Sequence, residues 1–125
     1  MVAKVHVIAD DDAVRDSLAT LLETYGIEVA AYRSAAEAGS NADRLDRGCL
    51  IVDLHLPGAD GIGLVRDLRA AGVRLPAILC VDAGGPGLDR QARQLGACWV
   101  EKPVGGNELA GLVETLLRDA LASAV

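Results

Sequence analysis

The chain has 125 residues, 51% of them hydrophobic and 24% charged, with a formal net charge of −6 at pH 7. That length supports one domain with a real core but not two, and the negative balance, with arginines scattered singly, argues against a nucleic-acid surface. The longest apolar runs are only strand-length, well short of the roughly 20 residues that a membrane-spanning helix needs.

The first apolar run, Val5–Ala9, begins so close to Met1 that no signal peptide is expected. It reads as a strand, and Asp10-Asp11-Asp12 follows it directly. A helix is predicted over Ala13–Tyr25, where Val14, Leu18, Leu21, Leu22 and Tyr25 fall on one stripe and Gly26 supplies a stop. Glu28–Tyr32 is a second strand, and 34–46 a polar, alanine-rich helix. Cys49–Asp53 is a third strand, wholly apolar until its terminal acid. Gly61–Ala71 repeats the helical design with Ile62, Val65 and Leu68, closing on Gly72. Ala77–Val81 and Ala97–Glu101 are further strands, with a short helix at Leu88–Leu95 between them and a longer one over Glu108–Leu121. Runs that are apolar at every position suit strands covered on both faces. Cys49, Cys80 and Cys98 lie in or beside such runs, without a C-x-x-C spacing, and are expected to be small buried residues in a reducing cytoplasm.

Strand–helix alternation five times over predicts an α/β fold: a five-stranded parallel sheet, doubly wound, with five helices. Ligands in such folds bind beyond the carboxyl ends of the strands. The residues there are Asp10–Asp12, Asp53–Leu56, Val81–Ala83 and Lys102–Pro103. Singly, Asp53 reads as a turn or cap and Lys102 as a surface lysine. Together, acids after strands one and three and a lysine after strand five converge on one cleft. Two carboxylates ~5 Å apart repel by about 3 kcal/mol at an effective dielectric near 20, so such a cleft calls for cations. Hard oxygen ligands completed by water suit Mg²⁺, and a carboxylate between a metal and an ammonium is a nucleophile suited to phosphoryl transfer.

VHVIADDDAVRDSL, LIVDLHLPGADGIGLVRDLR and GACWVEKP resemble the receiver domain of two-component response regulators, in particular receivers of the nitrogen-fixation-regulator type. The resemblance spans residues 4–120, the core of a single domain over 1–125, and implies a flavodoxin-like strand order of 2-1-3-4-5. It implies Asp53 as phosphoacceptor, Lys102 as phosphate-binding cation, and Mg²⁺ held by Asp10, Asp53 and the backbone carbonyl of His55. Trp99 falls at the switch aromatic position, and a cis Lys102–Pro103 bond is a frequent feature of the family. The implied partner is a histidine kinase or phosphotransfer protein in the cytoplasm. An output domain, a protein partner or a homodimer remains open.

Two departures stand out. The family carries two acids after strand one; counting back from Arg15 and Leu18, these places hold Ala9 and Asp10, so the first acid is absent. Shifting the register by one would turn the helix by about 100° relative to the core. Asp11 and Asp12 are then helix-start acids, favourable at the positive end. After strand four the family has Ser or Thr and then a small residue, whereas this chain has Val81 and Asp82. Val81 lacks the hydroxyl that would bond a phosphoryl oxygen. Asp82 either points outward at a turn or faces the cleft, where it would compensate for the missing acid or bond Lys102. The glycines of Ala83-Gly-Gly-Pro-Gly predict a mobile link to the fourth helix. His55 lies at a position that modulates phosphoryl lifetime in the family, or over the rim without chemistry. His6 reads as a satisfied core residue. These departures keep an atypical receiver, binding partners with weak or uncoupled phosphorylation, as the alternative function. An aspartate-nucleophile phosphatase is disfavoured, since it needs an acid where His55 stands.

Overall fold

The computed structural model describes residues 4–56, 59–102 and 105–123. Five strands, β1 (Lys4–Ile8), β2 (Glu28–Tyr32), β3 (Cys49–Asp53), β4 (Ala77–Val81) and β5 (Ala97–Glu101), form one sheet in the order β2-β1-β3-β4-β5. All four pairings are parallel. The predicted order is therefore the observed one. The connecting helices are α1 (Asp12–Thr24), α2 (Ala35–Ser40), α3 (Gly61–Ala70), α4 (Pro86–Gln94) and α5 (Gly106–Ser123). A short antiparallel pair, His55–Leu56 with Ala59–Asp60, follows β3.

The core lies on both faces of the sheet because strand residues alternate between them. Ile8, Leu50, Val52, Leu79 and Val81 pack with Leu64, Val65 and Leu68 of α3. On the other face Val5, Val7, Ile51, Ile78 and Cys80 meet Leu22 of α1 and Leu109 and Val113 of α5. The central strands β3 and β4 are buried at every position, whereas the edge strands β2 and β5 are partly open. Cys49 and Cys80 are buried and Cys98 half-buried, all three as free thiols. Burial pushes the Cys49 thiol up to about 12, which keeps it protonated and inert.

His6 is buried in the central part of β1 and fully partnered. Its Nε2–H donates to the Arg47 carbonyl at 3.1 Å, which leaves Nδ1 to accept from the Tyr32 hydroxyl at 3.2 Å. The expectation of a satisfied core histidine holds.

Three expectations change. The predicted helix over 34–46 ends at Ser40 and continues only as a 3-10 turn over Ala42–Arg44, because a run of small and polar residues offers little apolar surface to hold it. The fourth helix starts two residues before Leu88, with Pro86 in its first turn, a place where a missing N–H costs nothing. In α1 the apolar stripe is the buried line only in part: Leu22 is buried and Leu18 packs against the core, but Val14 and Tyr25 are exposed and Arg15 is buried. Arg15 displaces the stripe because its guanidinium reaches back to the end of β1, drawing its aliphatic stem inward.

Candidate functional site

The register carries the strand-end residues to one edge of the sheet. Ile8 pairs with Val52, so Ala9 emerges beside Asp53, and Asp53 pairs with Cys80, so Val81 emerges on its other side. The Lys102 N–H donates to the Val81 carbonyl at 2.8 Å, fixing the end of β5 against that of β4. Gly61 begins α3 immediately behind the acid. A Cβ there would fall 2.8 Å from the Asp53 carbonyl, so only glycine lets the helix start so close.

Asp53 is 8% exposed. Its Oδ1 accepts from Lys102 Nζ at 3.0 Å and from the His55 backbone N–H at 3.1 Å. Burial works against the charge on Lys102, but the hydrogen bond to Asp53, the charge of Asp53 and then that of Asp82 outweigh it and hold the ammonium pKa above its usual value. Asp82 faces the cleft rather than pointing away. Its Oδ1 lies 3.9 Å from Lys102 Nζ and its Oδ2 3.3 Å from His55 Nε2. Sequence reasoning left the orientation of Asp82 open and the partner of the His55 side chain unnamed. The histidine and the aspartate are 27 positions apart, and only the sheet brings them together.

Ala9 is buried and Asp10 exposed. The Asp11 side chain caps α1, accepting from the Val14 N–H at 3.1 Å, and Asp12 sits in the first turn. Asp11 and Asp12 are thus the helix-start acids expected. Arg15 donates to the Ala9 carbonyl at 2.9 Å and the Asp10 carbonyl at 3.5 Å, and pairs with the Asp12 carboxylate. Hydrogen bonding to Arg15 and its charge hold the Asp12 carboxyl below the usual range.

Trp99 leans on the loop after β4. A Cβ at Gly84 would lie 2.2 Å from the indole ring. The Trp99 indole N–H donates to Asp89 on α4 at 3.3 Å, and the Gly84 N–H donates to Glu101 at 2.9 Å. The glycine-rich link predicted to be mobile is therefore tied at Gly84 to two residues of β5. Gly84, Asp89 and Glu101 escaped the sequence reading because no motif marks a contact made across a loop. The Lys102–Pro103 bond, with its expected cis geometry, lies outside the described residues.

Receiver domains generally bind Mg²⁺ at the acidic site. The donors available here, the carboxylates of Asp10 and Asp53 with a main-chain carbonyl, are hard oxygens of the right chemistry. Among the described residues no three His, Cys, Asp or Glu side chains cluster as a metal site. The donor set thus fits a largely hydrated divalent ion.

Residues 5–114 match the response regulator receiver domain family. The chain is 44% identical over 100 residues to the transcriptional regulatory protein FixJ of Azorhizobium caulinodans, covering 79% of this chain and 47% of that protein. It is 33% identical over 117 residues to FixJ of Bradyrhizobium diazoefficiens, covering 93% of this chain and 57% of that protein. The chain thus spans about half the length of these relatives. Among solved structures, FixJ-N superposes with a TM-score of 0.85 at 28% identity, covering 94% of this chain and 95% of that one. A CheY-like receiver from Methanospirillum hungatei gives 0.89 at 20% identity, covering 98% and 99%, a likeness of fold. On its sequence match, its strand order and its strand-end acids and lysine, the chain belongs to the response regulator receiver domains of two-component signalling systems.

Proposed function

We propose that Asp53 accepts a phosphoryl group from a histidine kinase or phosphotransfer protein in the cytoplasm. The observation that carries this reading is the 3.0 Å contact between Lys102 Nζ and Asp53 Oδ1 in a buried strand-end pocket. A carboxylate so placed attacks phosphorus with one oxygen while the ammonium neutralises charge on the transferring group. Mg²⁺, when bound through Asp10, Asp53 and the His55 carbonyl, supplies further charge neutralisation. Loss of the acid at position 9 weakens that binding, because one fewer carboxylate draws the ion from water. Residues 1–125 act as a single signalling domain rather than as a conventional enzyme, and output lies in a further domain, a protein partner or a second copy.

A second reading has specific support. Val81 brings no hydroxyl to the pocket, and Asp82 already engages the lysine that would hold the phosphoryl oxygens. Both features favour an atypical receiver in which phosphorylation is weakly coupled to the α4–β5 surface.

Incubation with acetyl phosphate and Mg²⁺, followed by intact-mass measurement, separates the readings. An adduct that depends on Mg²⁺ and disappears in Asp53→Asn supports the phosphoacceptor reading. Absence of any adduct across a broad Mg²⁺ range, with partner binding unchanged in Asp53→Asn, supports the interaction module.

A further inference from the structure

A cavity of about 570 Å³ opens between the ends of α3 and α4, lined by Arg69, Ala70, Arg74, Gln94, Leu95 and Gly96. Arg74 lies just before β4 and Gly96 just before β5, so the cavity sits at the amino ends of these strands. Asp53 ends β3, at the opposite edge of the parallel sheet. We infer that this cavity is a binding site for a single carboxylate carried on an apolar body, gripped by the fork of Arg74 beside Arg69. The inference is independent of whether Asp53 accepts a phosphoryl group.

Arg69 serves the fold. Its Nε, Nη1 and Nη2 donate to the carbonyls of Leu95 at 2.8 Å, Val73 at 3.1 Å and Gly96 at 3.4 Å, tying α3 to the start of β5. Arg74 is only half used. Its Nη1 donates to the carbonyls of Arg69 at 2.8 Å and Val73 at 3.3 Å, which commits both protons of that nitrogen. A guanidinium has five donors. The Nε–H and the two protons of Nη2 remain, and among the described residues they have no partner. These nitrogens are neighbours on one edge of the planar fork, an edge that takes both oxygens of a carboxylate. Arg74 is exposed, so a ligand can reach that edge.

Charge selects the ligand. Among the described residues no carboxylate pairs with either guanidinium, although the chain as a whole carries −6 at pH 7. The two guanidiniums repel: burial, and then the charge of Arg74, hold the Arg69 pKa below its usual value. The backbone offsets this in part. α3 ends at Ala70 and α4 at Gln94, both on the wall of the cavity, and each helix C-terminus carries about half a negative charge. Two guanidiniums against two such ends leave about one positive charge, which one carboxylate matches and a phosphate dianion exceeds. Ala70 and Leu95 set apolar carbons beside the fork, which suits an acid with an apolar body.

The test is an NMR titration of the isotope-labelled chain at constant ionic strength, reading the amides of Leu95 and Gly96 and the Arg74 Nε–H. Benzoate supplies the carboxylate as a free acid, and acetyl-Leu-Glu-Leu-amide supplies it as a protein side chain. The expected result is saturable shifts at these positions, and the probe that saturates at the lower concentration names the source. Benzamide, neutral and of the same shape, should give none, and phenyl phosphate should bind more weakly than benzoate. Arg74→Gln, at an exposed position, should weaken binding at least about tenfold, the lower end of what a hydrogen bond to a charged group contributes. Arg74→Lys keeps the charge without the fork and should weaken binding as well. Arg118→Gln removes the same charge from α5, on the other face of the sheet, and should leave binding unchanged. No saturable shift from either carboxylate probe overturns the inference. So do equal shifts from benzamide, tighter binding of phenyl phosphate, or an unaltered affinity in Arg74→Gln.

Discussion

At the scale of single residues, Gly84 and Trp99 meet at close range. The indole ring fills the volume that any side chain at 84 would need, and its N–H is held by Asp89 on α4. The contact lies two residues after Asp82 on the same loop. Gly84→Ala must displace the ring or the loop, since a Cβ would sit 2.2 Å from an aromatic carbon. The expected outcome is a loss of about 1–3 kcal/mol, the usual range for overpacking, with a shift in tryptophan emission as the indole moves toward solvent. Chemical denaturation followed by fluorescence reads both, and Trp99 is the sole tryptophan, so the signal has one source. Unchanged emission and stability would show that the ring is free to swing, and that loop and α4 are not linked through it.

At the scale of elements, the end of β1 and the start of α1 are held by Arg15 as well as by the cap at Asp11. The guanidinium satisfies the Ala9 carbonyl and pairs with Asp12, while its stem is covered by the fold. Arg15→Met keeps the stem's volume and strips the Ala9 carbonyl of its donor. We expect a loss of about 1–3 kcal/mol, the cost of leaving one buried polar group unpaired, measured as a lower urea midpoint with an unchanged slope. The same region shows what a sequence reveals and what it hides. The strands were legible because β4, and β3 up to its terminal Asp53, are apolar throughout, and the pocket was legible because Asp53 ends one strand and Lys102 directly follows another. Arg15 as a buried residue was not, since helical periodicity counts apolar side chains and takes an arginine for solvent. Nor was the His55–Asp82 pair, because each residue alone fits an exposed turn and their meeting depends on the path of two loops. The truncated α2 was misread for a related reason: alanine favours helix locally but buries too little surface to extend one.

At the scale of the whole molecule, one buried group couples the fold to pH. His6 lies in β1, next to the centre of the sheet, with both ring nitrogens committed to Arg47 and Tyr32. Burial is the main cause of a pKa lowered from 6.5, and the hydrogen bond to the Arg47 carbonyl only partly opposes it. The folded chain therefore holds the imidazole neutral, while the unfolded chain protonates it near 6.5. Between the lowered folded value and 6.5 the unfolded state binds more protons, so stability rises with pH across that window. The contribution is complete above 6.5 and is lost as pH falls toward the folded value. Asp12, whose carboxyl is lowered from 3.8, acts only below that value, so the two effects are separated on the pH axis. Urea unfolding at intervals between pH 7.5 and 5 should show falling stability in the wild-type chain. His6→Phe, which keeps an aromatic ring against Tyr32 but cannot titrate, should be less stable at pH 7.5, since Arg47 and Tyr32 lose a partner, yet show a shallower slope toward acid. Parallel slopes in the two proteins would assign the acid sensitivity to groups other than His6. The location of this residue decides where the effect falls: His6 is the middle residue of β1, bonded to Arg47 and Tyr32, so its protonation acts on the sheet itself.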